Sequence, residues 1–352
     1  MDKRIEKLLQ LATTAPSGDN CQPWQFSVSS QTVKLYNLSD KDTSLYNFAQ
    51  RASLLAHGAL LENLRIAAPS LGLRAQIEYF PDPSLSDLVA TVEFVDAEVA
   101  EHPLLPWLSA RCTNRKKYDG RPLSKAAAEI LLHATGEIDG TVVRLVTDPE
   151  HIRQLSDILA NNDRLVFENP LLHKFLFDHI RWNDGEARGS LDGMDLKTLE
   201  LGLIDSLAFR VFRHWSIVEK LNKVGLPKVV ANNGSKLLAS ASAIGGILIE
   251  SSGQESFVVA GRAMQRFWLE ATRLGLSVQP VAGLALLAER VLAGQTAGLT
   301  EGQVRLIGEV RSELDRIFGS AGKHLVMLFR IGTGGRPSAR SLRQPVAQLV
   351  TG

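Results

Sequence analysis

Cysteine and net charge are both scarce in this sequence, and each scarcity excludes a class of protein. Only Cys21 and Cys112 occur among 352 residues, far apart and outside any CxxC pattern. A disulfide scaffold has nothing to be built from, and a reducing compartment suits the chain. Lys+Arg of 39 against Asp+Glu of 38 leaves a formal charge of +1, so no global field gathers nucleic-acid phosphates. Any anion site must be local. Long apolar runs are missing as well: stretches such as 281–288 fall well short of the roughly 20 residues a bilayer span requires. The first residues, Met1-Asp2-Lys3-Arg4-Ile5-Glu6, carry both charge signs and no apolar core of a leader peptide. A cytoplasmic protein without membrane or nucleic-acid partners is expected. His173 and His179 are not four residues apart and no acidic partner completes a ligand pattern, so no metal is expected.

What is present is a globular composition, 45% apolar and 22% charged, in a chain long enough for about two domains. An internal repeat divides it. Gly58-Ala59-Leu60-Leu61 runs through Leu64, Ile66 and Ala68 to Leu71-Gly72-Leu73. Gly261-Arg262-Ala263-Met264 runs through Phe267, Leu269 and Ala271 to Leu274-Gly275-Leu276. One ungapped offset aligns both segments, and each has apolar residues at helical spacing before a glycine stop. Strand-like runs follow each helix, at 88–95 and at 324–331. Prolines at 103 and 106 preclude a continuous helix and mark a boundary, giving expected units 1–105 and 106–352. The second is longer because of an insertion at about 167–236, read as either a lid over a site or a surface hairpin.

Two segments carry chemistry. After a short amphipathic helix at 5–13 comes the polar loop Pro16-Ser17-Gly18-Asp19-Asn20-Cys21-Gln22, which enters a strand at Pro23-Trp24. Its Ser, Asn and Gln are short hydrogen-bonding groups on a chain that resists regular structure. The second is Arg111-Cys112-Thr113-Asn114-Arg115. In an extended strand Arg111, Thr113 and Arg115 share one face, and two guanidinium forks with a hydroxyl suit a phosphate dianion.

Together, Pro-Ser-x-x-Asn-x-Gln-Pro-Trp and Arg-x-Thr-x-Arg resemble motifs of the nitroreductase family of FMN enzymes. The loop stands in the first half and the basic motif opens the second, so the chain resembles the family's fused, Acg-type branch. The resemblance implies an α+β fold of two related halves, a pseudo-dimer with sheets flanked by helices and a helical lid in the second half. It also implies one FMN. Arg111, Thr113 and Arg115 would hold the flavin phosphate, and Pro16, Ser17, Gly18, Asn20 and Gln22 would reach the flavin from the other half. Within Ser277-Val278-Gln279-Pro280-Val281-Ala282-Gly283, the backbone at Ala282 and Gly283 would face the flavin N5. Arg340 and Arg343 resemble the C-terminal phosphate ligands, and Asn233 with Lys236 resembles a pair at the pyrimidine edge.

The expected function is an FMN-dependent oxidoreductase passing hydride from NAD(P)H or another donor to a nitroaromatic, quinone or similar small acceptor. No side-chain acid, base or nucleophile is named. The alternatives are FMN sequestration under a lid with little turnover, a flavin-consuming relative, and a structural protein with degenerate motifs. A monomeric pseudo-dimer or a homodimer both fit. Trp182, Trp215 and Trp268 are expected as core aromatics.

Overall fold

The computed structural model describes residues 1–320 and 322–351. The first half runs α1 (Lys3–Ala12), β1 (Trp24–Ser29), β2 (Thr32–Asn37), α2 (Arg51–Ala67), β3 (Leu73–Tyr79) and β4 (Leu88–Asp96). The second half opens with α3 (Lys125–His133) and β5 (Thr141–Val146). A long excursion follows, comprising α4 (Pro149–Leu159), α5 (Asn161–Glu168), α6 (Pro170–His179), β6 (Ile180–Arg181), α7 (Asp184–Ser190), β7 (Met194–Asp195), α8 (Leu203–Phe212), α9 (Trp215–Asn222) and α10 (Leu226–Leu238). It closes with β8 (Ala243–Ile249), α11 (Gln254–Arg273), β9 (Ser277–Pro280), α12 (Gly283–Leu292), α13 (Glu301–Phe318) and β10 (His324–Gly332). The C-terminal arm carries α14 (Val346–Leu349) and β11 (Val350–Thr351).

The halves share one topology. The first sheet contains the run β1-β2-β4-β3 and the second the run β5-β8-β10-β9, each antiparallel throughout. In each, a helix links the second strand to an edge strand that pairs with the last. The fold is therefore α+β and duplicated. The two differ where the second half is enlarged: the excursion replaces the tight β1–β2 hairpin, and α12 with α13 replaces the short β3–β4 connection. The segment expected as an insertion lies inside the excursion. β11 crosses back and pairs parallel with β1, Phe26 opposite Val350, so the C-terminus ties the halves together.

Local chemistry accounts for these elements. Asp2 caps α1 by accepting from the Arg4 N–H, and Ile5, Leu8, Leu9 and Ala12 put one apolar stripe into the core. β8 is buried on both faces, as its apolar run requires. A Cβ on Gly245 would stand 3.1 Å from Phe267, and one on Gly246 2.9 Å from Phe318, so α11 and α13 pack on opposite faces. The proline pair at 103 and 106 leaves only a single 3-10 turn, Leu105–Trp107. Trp268 is core, as expected.

The seam between the halves is the packed pair α2 and α11, the two repeat helices. A shift of 203 residues carries Gly58 onto Gly261 and Leu55 onto Val258. A Cβ on Gly58 would lie 1.9 Å from the Val258 carbonyl oxygen, and one on Gly261 2.1 Å from the Leu55 carbonyl oxygen. The two contacts are equivalent, as a twofold axis demands. Polar partners obey the same relation. Arg266 donates to Glu62 at 2.6 Å and Gln265 donates to Asn63 at 2.7 Å, while the shift carries Glu62 onto Gln265 and Asn63 onto Arg266. Both helices then end on left-handed glycines, Gly72 and Gly275.

Candidate functional site

Two adjoining cavities open at this seam. The smaller, of about 290 Å³, is lined by all four arginines singled out in the sequence, Arg111, Arg115, Arg340 and Arg343, with Thr113, Ser17 and Asn20. The larger, of about 1160 Å³, is lined by Pro16, Ser17, Gly18, Thr113 and Arg115, by Gln279 through Gly283, and by the excursion. Pro16, Ser17, Asp19, Thr113 and Arg115 belong to both. Each half contributes to each cavity.

The loop after α1 is held in an unusual conformation. Asp19, Asn20 and Gln22 all have positive φ, which costs non-glycine residues about 1 kcal/mol or more each unless neighbours fix them. They are fixed. The Ser17 hydroxyl accepts from the Gln22 N–H, and the Asn20 amide donates to the Leu342 carbonyl and accepts from Arg343 at 2.6 Å. The Gln22 side chain donates to the Leu191 carbonyl at 2.8 Å and accepts from the Gln344 N–H at 2.9 Å. Gln22, expected to touch the flavin, is fully buried and lines neither cavity. Its amide clamps the loop between the C-terminal arm and the excursion.

The basic segment is extended, with Thr113 bridged to Val278 of β9. Arg111 is buried, lies 4.4 Å from the Trp268 ring centroid and donates to the Thr14 carbonyl, while its Nε has no partner. Arg343 donates to the carbonyls of Thr13 and Ala15, Arg340 to those of Ser109, Ala110 and Arg111, and Arg115 to that of Thr198. These bonds go to neutral oxygens rather than to carboxylates. Burial, then repulsion from Arg343, pulls Arg111 down to about 9, and burial pulls Arg343 down to about 10 and lowers Arg115. Positive charge dehydrated and concentrated in this way suits an anion, with Asp19 and Glu200 within electrostatic reach of Arg115 alone of the three.

The larger cavity has an opposite character. Phe167, Phe175, Phe209 and Phe212 wall it, and Asp19, Asp42 and Asp163 face it. Remoteness from bulk water raises Asp19 and Asp163 to about 6 each and also raises Asp42. These acids were not anticipated; Asp42 and Asp163 belong to no motif, and only the fold gathers them. The Gln279 Oε1 is buried without a partner. At the start of α12, Ala282 and Gly283 line the wall. On α10 the lining stripe is Val230, Asn233, Gly234, Leu237 and Leu238. Lys236 falls off that stripe and is exposed, because helical spacing turns it outward. Asn233 lines the cavity and Lys236 does not.

No protein-family model matches the chain. In sequence it is 30% identical over 348 residues to an uncharacterized protein of Mycobacterium tuberculosis strain CDC 1551, covering 96% of this chain and 47% of that protein. It is 38% identical over 96 residues to acg of the same organism, provisionally named an NAD(P)H nitroreductase, covering 27% of this chain and 28% of that one. The chain spans about half or less of the length of these relatives. Among solved structures, the FMN-dependent nitroreductase NfnB from Mycobacterium smegmatis, in complex with NADPH, aligns at a TM-score of 0.40 with 14% identity, over 69% of this chain and 94% of that one.

Proposed function

We propose that this chain is a nitroreductase-like protein with its two halves fused, that one FMN binds at the seam and that the protein is an FMN-dependent oxidoreductase. The observation that carries this reading is the cluster of buried Arg111 with half-buried Arg115 and Arg343, bonded to neutral oxygens and open to a cavity large enough for a ring system. The fit can be tested atom by atom. Arg111 Nε is an orphaned buried donor, which a phosphate oxygen would satisfy. Thr113 and Ser17 supply hydroxyls, and Arg340 stands at the rim of the smaller cavity. The ring would lie in the larger cavity against Ala282, Gly283 and Gln279.

Bound FMN supplies two-electron chemistry. The protein's own part is positioning and exclusion of water. The cationic cluster neutralises the phosphate and draws strength from its low-dielectric surroundings. The clamped loop of Pro16, Ser17, Gly18 and Asn20 holds the other wall without rearranging, and the phenylalanines of the excursion keep the chamber dry. NAD(P)H as donor, and a nitroaromatic, quinone or similar small molecule as acceptor, complete the proposed reaction. With the seam already occupied by the second half, a monomer with one site is the proposed working unit, located in the cytoplasm.

A second reading, that the excursion encloses FMN for storage, is favoured by the depth to which α5, α6 and α8 wall the larger cavity. Anaerobic absorbance titration of FMN-loaded protein with NADH and NADPH separates the two. Stoichiometric bleaching that reverses with a quinone or nitroaromatic supports the oxidoreductase. A tightly held flavin that neither nucleotide reduces supports storage, and failure to retain FMN at all removes both.

A further inference from the structure

The excursion presents a second surface, on its outer side. α8 is an apolar helix with no buried residue: Leu203 is 89% exposed and Ile204 83%, with Leu207 and Val211 exposed one and two turns on. Further along the excursion, the turn into α10 exposes Val224 at 81%, and Val229 follows. Phe209 and Phe212, on the inner side of the same helix, line the larger cavity. The helix is therefore apolar on both sides. Among the described residues its outer face covers nothing.

Charge identifies what covers it. Segment 201–236 contains six Lys and Arg, namely Arg210, Arg213, Lys220, Lys223, Lys228 and Lys236, against only Asp205 and Glu219. The whole chain carries +1, so the segment that bears the exposed leucines and valines is far more positive than the chain as a whole. All six cations are exposed. A second copy docking through the same patch would press two strongly positive faces together. Nucleic acid would leave Leu203 and Ile204 with no apolar partner. An anionic lipid surface satisfies both features, with the side chains entering the headgroup boundary and the cations meeting lipid phosphates. No helix among the described residues is long and apolar enough to cross a membrane, so the contact is one of lying on the surface.

From this juxtaposition we infer that the outer face of α8, with the start of α10, is a docking surface for an anionic bilayer. The test is sedimentation of the full chain with vesicles of phosphatidylglycerol mixed into phosphatidylcholine, against phosphatidylcholine alone. The chain sediments with the anionic vesicles at low salt and is released as salt rises. Lys220→Glu lowers the partition coefficient by roughly fivefold or more, and a Leu203→Ser/Ile204→Ser/Leu207→Ser variant lowers it roughly tenfold. Because these side chains are exposed, both variants keep the thermal unfolding midpoint of the parent, so lost binding does not report lost folding. Equal sedimentation with both vesicle types, or anionic binding that the triple variant retains, overturns the inference. So does a lipid-indifferent dimer in sedimentation velocity that the triple variant dissolves, which would make a second copy the occupant.

Discussion

Gly58 and Gly261 meet across the seam so closely that a Cβ on Gly58 would stand 2.8 Å from the Cα of Gly261. The two residues occupy the same place in the repeat, so the contact lies on the pseudo-twofold axis. Both obstacles to a larger side chain are backbone atoms, which cannot swing away. Gly58→Ala and Gly261→Ala are therefore each expected to destabilise the protein by about 3 kcal/mol or more, measured by urea unfolding. A change under about 0.5 kcal/mol would show that the helices are not in this contact.

Glu62 offers a second probe of the seam. Its carboxylate is fully buried and accepts from Arg262 at 2.9 Å and from Arg266 at 2.6 Å. Glu62→Ala leaves the buried Arg262 guanidinium with only the Tyr79 hydroxyl and Arg266 with Glu137, and about 3–5 kcal/mol of stability is expected to be lost. Restoration in the Glu62→Ala/Arg262→Met/Arg266→Met protein, read by the same unfolding curves, distinguishes charge stranding from loss of packing.

Arg111 should behave in the opposite sense. Its charge is dehydrated and faces Arg343, so without an anion it is a burden to the fold. Arg111→Met is expected to weaken FMN binding by roughly 10- to 100-fold, the worth of a charge-assisted contact, while leaving the FMN-free unfolding midpoint unchanged or higher. Fluorescence titration with FMN and calorimetry of the flavin-free protein check the two halves of this statement. A lower midpoint with unaltered FMN affinity would make Arg111 structural.

Asp163 gives a pH signature. Its folded-state pKa is raised from the ordinary 3.8 to about 6. Between these values the folded protein binds the proton more tightly, so its contribution is fully present below about pH 4 and is lost as pH rises through 6. Asp163→Asn removes that loss, and the variant is expected to gain up to about 3 kcal/mol over the parent at pH 7 and almost nothing at pH 4. Unfolding free energies at the two pH values decide it; an equal difference at both would place the carboxyl in ordinary solvent.

Much of this was legible along the chain because it depends on neighbours in sequence. The repeat showed in Leu-Gly-Leu after each helix, since a left-handed stop is cheapest at glycine. The runs at 88–95 and 324–331 became β4 and β10, and Pro23-Trp24 marked the start of β1. Alternation alone set Arg111, Thr113 and Arg115 on one face, and Arg340 and Arg343 line the same small cavity from more than two hundred residues away. Contacts across the seam left no such trace. Gln22 looks like a ligand in a polar loop, and only the arrival of Leu191 and Gln344 makes it a buried clamp. Lys236 looks like the partner of Asn233, yet the face that α10 turns to the cavity is set by packing. Asp42 and Asp163 carry no motif, and their raised pKa values come from a cavity that exists only when both halves close over it. The sequence by itself determined the duplicated α+β architecture and the residue types of the proposed anion site, through local periodicity and side-chain chemistry. Only the tertiary structure decided which of those groups lose water and which lose partners, because dehydration and orphaned charge are properties of assembled surfaces rather than of residues.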